Sequence, residues 1–142
     1  MAESETELPT IETGTTYISV REDGVVFVKV KAGAELSLDA AEENHVATAR
    51  LVGDRDFVIV VDTRLAQGIS REAREYYANP EVRQHTIAQA LIIESSVSRV
   101  LGNFFIGLNK PPFPTQLFTS EEEAIAWLQS MRKSPGPTAS SP

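Results

Sequence analysis

The run FVIVVD, Phe57 to Asp62, places five apolar residues in succession and then a carboxylate, with no polar alternation. A strand with one wet face alternates apolar and polar side chains, so a strand that does not must be covered on both faces. That condition is met in parallel sheets, whose crossover connections lay helices over the sheet. IAQALIIE, Ile87 to Glu94, has the same character and reads as a second central strand. Two buried strands of this kind confine the chain to an α/β architecture.

The remaining elements fit around them. TYISVRE and VVFVKVKA have a period of two and meet at Asp23-Gly24, a strong hairpin signal. DAAEENHVATARLVG reads as a first helix with Asp39 as N-cap, Glu42 three residues on and Gly53 as its stop. Ser70 is placed to cap REAREYYAN, which Pro80 limits, with Ala73, Tyr76 and Tyr77 on one side. In SSVSRVLGNFFIGLN, Val97, Val100, Leu101, Phe104, Phe105 and Leu108 recur at helical spacing. PPFPT leads to a short strand, QLF, and Ser120 with Glu123 forms a capping box for EEEAIAWLQSMRK. Ala124, Trp127, Leu128 and Met131 make that helix's buried face. The expected fold is therefore α/β, a mainly parallel central sheet of about five strands with an antiparallel edge hairpin and about four helices.

The chain's 142 residues suit one domain. Residues 1–14 form an acidic stretch read as a disordered tail, and the Pro- and Ser-rich residues 134–142 as a second one, leaving residues 15–133 as the domain. Glu3, Glu5, Glu7 and Glu12 account for much of the net charge of −7; the body holds sixteen acids against all thirteen bases. A mildly acidic body without a Lys/Arg stripe argues against nucleic acid and anionic membranes as partners. With no cysteine, disulfides, thiolate metal sites and a cysteine nucleophile are excluded. Apolar runs fall far short of the ~20 residues that span a bilayer, and no secretory segment follows Met1, so membrane insertion is not expected and a cytoplasmic location is.

Catalytic and cofactor patterns are weak. Gly102 and Gly107 have the spacing of a phosphate loop but lead into Leu-Asn-Lys and lie within the helical pattern. Glu42 and His45, three apart, resemble one half of a bundle metal site, but the pattern does not recur; His85 has only Glu81 beside it. Asp62, Ser70 and either histidine do not specify a triad, no Gly-x-Ser-x-Gly elbow is present, and Ser70 and Ser95 or Ser96 read as helix caps. Asp62 and Glu94 both end buried strands, but such carboxylates more often bind nearby backbone amides. No catalytic residue, metal or cofactor is expected. Phe113, between prolines, is either an exposed anchor or part of its own core.

The central strand with its polar turn and Ser-capped helix, the segment ALIIESSVSRVLGNFFIGLNKPPFPTQLF and the closing SEEEAIAWL resemble the STAS superfamily, over roughly residues 15 to 132. That superfamily includes bacterial anti-sigma-factor antagonists, and the likeness is greatest to small, single-domain bacterial STAS-like proteins, a fold loosely related to lipid carriers. The resemblance implies protein binding without catalysis. It also implies a phospho-switch at Ser70, with Asp62 and Thr63 beneath it and Thr63 as a second acceptor. The antagonists usually carry a small residue after the serine, where this chain has Arg71.

Together these readings lead to an expected non-enzymatic interaction domain, a homodimer, that binds a protein partner around Asp62 to Tyr77. Arg64, Arg71, Tyr76, Tyr77, Phe104, Phe105 and Phe113 are its candidate partner or ligand surface. The alternative is a carrier or sensor that holds a small apolar or lipid-like molecule between a helix and the sheet.

Overall fold

The computed structural model describes residues 10–94 and 111–133. Strands β1 (Thr10–Glu12), β2 (Thr16–Val20) and β3 (Val26–Val30) run antiparallel to their neighbours, and β3 then pairs in parallel with β5 (Phe57–Asp62). Beyond it lie β7 (Thr86–Ile92) and β8 (Thr115–Phe118), both parallel, giving the order β1-β2-β3-β5-β7-β8. β4 (Glu35–Leu36) and β6 (Gly68–Ile69) form a separate two-stranded ribbon. Three helices are present among the described residues: α1 (Leu38–Val52), α2 (Arg71–Tyr77) and α3 (Glu121–Lys133).

FVIVVD behaves as its composition demands. It lies inside the sheet, and its side chains serve two cores. Val58 and Val60 point with Ala88, Ala90 and Ile92 to one face, where Ala124, Ile125 and Leu128 of α3 cover them. Ile59 points the other way, with Ile18, Val26 and Val28, against Ala47 and Val52 of α1. Each fully buried valine contributes roughly 1.5–3 kcal/mol of burial free energy, so covering both faces is what holds this strand at the centre.

The hairpin turn lies at Asp23-Gly24, as expected. Gly24 adopts φ +87°, which side chains other than glycine's rarely tolerate. Asp23 accepts a 3.0 Å hydrogen bond from the amide of Val25 and another, at 2.8 Å, from Nε2 of Gln129, tying the turn to α3.

Some expectations change. The sheet has six strands and a further short ribbon, where about five strands were expected. The antiparallel strands do lie at one edge of a mostly parallel sheet, as expected, but β1 adds outside the β2–β3 hairpin and takes the outermost place. β1 comes from residues assigned to the tail: Ile11 packs on the α1-side core, and Thr13 is buried by a 2.7 Å hydrogen bond to Oδ1 of Asn44. A three-residue strand within an acidic stretch carries too little pattern to be read locally. α1 is capped by Ser37, whose Oγ accepts from the amide of Ala40 at 3.2 Å, and Asp39 falls in the first turn, where its charge still suits the helix dipole. The helix expected over SSVSRVLGNFFIGLN, with Phe104 and Phe105, lies outside the described residues, as do the rest of the N-terminal tail and residues 134–142.

Candidate functional site

α1 and α3 cover the sheet unequally. On the α3 side, Ala88 and Ala90 let the helix settle closely, and the core there is continuous. On the α1 side, a cavity of about 160 Å³ remains between the helix, the β4–β6 ribbon and strands β3, β5 and β7. Its apolar wall includes Val28, Val30, Ile59, Val61 and Leu91. Gln89, Arg83, Tyr77 and Asn44 form a polar end.

Arg83 is the dominant group at that end. It follows α2 in a turn built on Asn79, whose carbonyl accepts from the amides of Val82 and Arg83, and the carbonyl of Arg83 in turn accepts from Thr86. This locks the residue's backbone just before β7 and directs its side chain inward, where only 9% of it is exposed. Nη2 donates to Oε1 of Gln89 at 2.7 Å, Nη1 to the carbonyl of Tyr77 at 3.2 Å and Nε to Oγ1 of Thr86 at 3.3 Å. The guanidinium also lies 4.7 Å from the ring centre of Phe113 and 5.5 Å from that of Tyr77, within cation–π range. No Asp or Glu among the described residues forms an ion pair with it. Burial without a counter-anion lowers its pKa to about 10, only partly offset by Tyr77.

Gln89, in the middle of β7, turns its side chain toward the cavity on the α1 side and is 3% exposed. Its orientation is set by Arg83: a flipped amide would oppose two sets of donors. The consequence is that Nε2 has no hydrogen-bond partner. A buried amide nitrogen left so costs roughly 1–3 kcal/mol.

The neighbours respond to the same cation. Burial, followed by the charge of Arg83, lowers the pKa of His45, whose ring meets that of Tyr76 edge-on at 6.0 Å. Burial raises the pKa of Tyr77, against the opposing effects of its hydrogen bond with Asn44 and the charge of Arg83. Oδ1 of Asn44 also accepts from Oγ1 of Thr16 at 2.9 Å, linking the cavity's end to β2.

The residues expected at the end of β5 are occupied differently. Asp62, 2% exposed, is chelated by Arg64: Nη2 to Oδ2 at 2.7 Å, Nε to Oδ1 at 2.9 Å, and the Arg64 amide to Oδ1 at 3.1 Å, with Nζ of Lys29 3.6 Å away. Burial works to raise its pKa, but these hydrogen bonds and the charges of Arg64 and Lys29 outweigh it and hold the carboxyl below its ordinary value. Oγ1 of Thr63 donates to the carbonyl of Ile92 at 2.8 Å. Oγ of Ser70 accepts from the amide of Ala73 at 3.0 Å, and Arg71 pairs with Glu75 at 3.1 Å on the exposed side of α2. Thr63 and Tyr77 line the cavity, and Phe113 reaches it through Arg83; Arg64, Ser70 and Arg71 do not line it. No group of three or more His, Asp or Glu among the described residues is placed to hold a metal, and no helix there is long and apolar enough to cross a membrane.

Sequence reasoning passed over Arg83, Gln89 and Asn44. A glutamine amid the apolar residues of IAQALIIE was the available signal; Arg83, in a turn after Pro80, offered none.

The family model for a domain of unknown function, DUF7793, matches residues 18–132. The chain belongs to the DUF7793 family. No curated protein matches it in sequence. Among solved structures, this DUF7793 domain is similar to an uncharacterised DUF3478-family protein with a SpoIIAA-like fold from Shewanella loihica PV-4, with a TM-score of 0.57 at 12% identity, covering 86% of this chain and 92% of that one. A protein of unknown function from Arthrobacter sp. FB24 is 34% identical over 79% of this chain and 97% of its own, with a TM-score of 0.32. The DUF7793 domain thus has a SpoIIAA-like, STAS-like fold, as the resemblance implied.

Proposed function

We propose that this domain is a non-catalytic sensor or carrier that binds a small molecule with an apolar body in the cavity between α1 and the sheet. The carrying observation is the cavity itself, with an apolar wall from β3, β5 and β7 and one polar end. Ligand sites combine such a lining with a few placed polar groups. The size narrows the reading: cavities of about 150 Å³ take up benzene, so about 160 Å³ suits a compact molecule better than a long acyl chain.

Methyl-detected NMR titration with benzene-sized probes, neutral and charged, tests this reading. The expected result is saturable shifts at Ile59, Val61 and Leu91. If no probe moves those methyls, the domain is not a small-molecule binder.

The second reading is a protein-docking module, dimeric and cytoplasmic, acting around Asp62 to Tyr77 and switched by phosphate on Ser70 or Thr63. Half-exposed Leu65, between those residues, favours it as an apolar contact. The two acceptors differ, since the Thr63 hydroxyl is bound to the Ile92 carbonyl whereas Ser70 Oγ accepts from an amide and keeps its proton available. The intact mass of the natively purified protein distinguishes the readings by reporting phosphate, ligand and oligomer together.

A further inference from the structure

From the unbalanced charge at the cavity's polar end, we infer that the ligand is a small monocarboxylate, its carboxylate set against Arg83 and Gln89 and its apolar body against Ile59, Val61 and Leu91. This inference rests on the proposed ligand-binding function and specifies its chemistry.

A guanidinium removed from water without an anion is costly, and such charges in proteins are ordinarily paired. Arg83 has three neutral acceptors and two aromatic rings but no carboxylate among the described residues, and the stretch 95–110 contains no Asp or Glu. Nη1 and Nη2 each carry a second N–H beyond the bonds already named. Beside them, Nε2 of Gln89 has donors and no acceptor. Arg83 and Gln89 together therefore offer surplus donors and one surplus positive charge to the cavity's polar end.

The shape of the deficit selects the anion. One cation balances one negative charge, whereas a phosphate dianion would bring a second, uncompensated charge into an apolar site. A guanidinium edge matches the planar, two-oxygen geometry of a carboxylate. The wall made by Val28, Val30, Ile59, Val61 and Leu91 is apolar, which favours an anion that carries an apolar group. A body of roughly six to eight carbons fits the available volume.

The experiment compares benzoate with a neutral analogue of the same aromatic body, benzyl alcohol, by the same methyl NMR titration at pH 7. Wild-type protein is expected to bind benzoate about tenfold or more tightly than benzyl alcohol, as a charge-assisted hydrogen bond implies. Arg83→Met and, independently, Gln89→Glu, which supplies the missing anion from the protein, are each expected to abolish that preference while benzyl alcohol still binds. A spectrum of folded protein from either variant suffices for the comparison. Equal affinity for the two probes in wild type, or a preference that survives in a folded variant, overturns the carboxylate assignment and leaves the cavity reading standing. Failure of both probes to bind the wild type overturns both.

Discussion

Nη2 of Arg83 donates to Oε1 of Gln89 at 2.7 Å, and the same bond turns the amide's nitrogen toward no acceptor. One interaction thus satisfies half of a buried amide at the expense of the other half. Gln89→Glu removes both problems, because a carboxylate has no donors to leave unpaired and gives the cation a partner. The variant is expected to be more stable than wild type at neutral pH by about 1–3 kcal/mol, the desolvation penalty of the orphan group, as measured by urea unfolding. A lower midpoint would show that Arg83 is already adequately compensated.

Cavity volume makes a separate prediction. Val61→Ile adds one methylene to the apolar wall while keeping a β-branched residue in the central strand. Burial of that group is expected to add about 0.8 kcal/mol, and the lost volume to weaken binding of any benzene-sized probe. Calorimetric unfolding and the NMR titration read the two effects.

The two faces of the sheet are expected to be energetically separable. Leu128 of α3 is fully buried against β5 and β7 on the side away from the cavity. Leu128→Ala is expected to cost roughly 2–5 kcal/mol while leaving probe affinity in the folded protein unchanged. A comparable loss of affinity would mean that the sheet transmits packing changes from one face to the other.

Asp62 is expected to give the domain an acid-sensitive margin. Its pKa is depressed in the folded protein, so its stabilisation is present above the ordinary carboxylate pKa near 3.9 and disappears as pH falls through the lower folded value. Asp62→Ala is expected to lower stability by about 1–3 kcal/mol at pH 7, with the gap to wild type closing in strong acid. Urea titrations at several pH values measure it; a gap independent of pH would assign the loss to packing alone.

Ser70 has a structural role that any phosphate reading must accommodate. Ser70→Ala removes the acceptor for the Ala73 amide and is expected to cost about 1 kcal/mol, whereas Ser70→Asp, also a good N-cap, is expected to retain stability. Thermal unfolding of the pair separates the capping role from any effect on partner binding.

What the sequence determined by itself was the local and periodic part of the fold. FVIVVD had to be covered on both faces, Asp23-Gly24 had to turn, and Ser70 had to cap, because each depends on residues within one or two turns of chain. The sixth strand escaped because Thr10–Glu12 is held by its pairing with β2 and by Ile11 against the α1-side core, while Asn44 fixes the following Thr13 from thirty-one residues away. Asp62 looked like a site because it ends a buried strand, and it became a chelated ion pair only when Arg64 folded back onto it. Arg83, Gln89 and Tyr77 look unremarkable along the chain. The turn between α2 and β7 folds Arg83 onto the Tyr77 carbonyl and the Gln89 side chain at the cavity, and only burial there turns an ordinary arginine into an unbalanced charge.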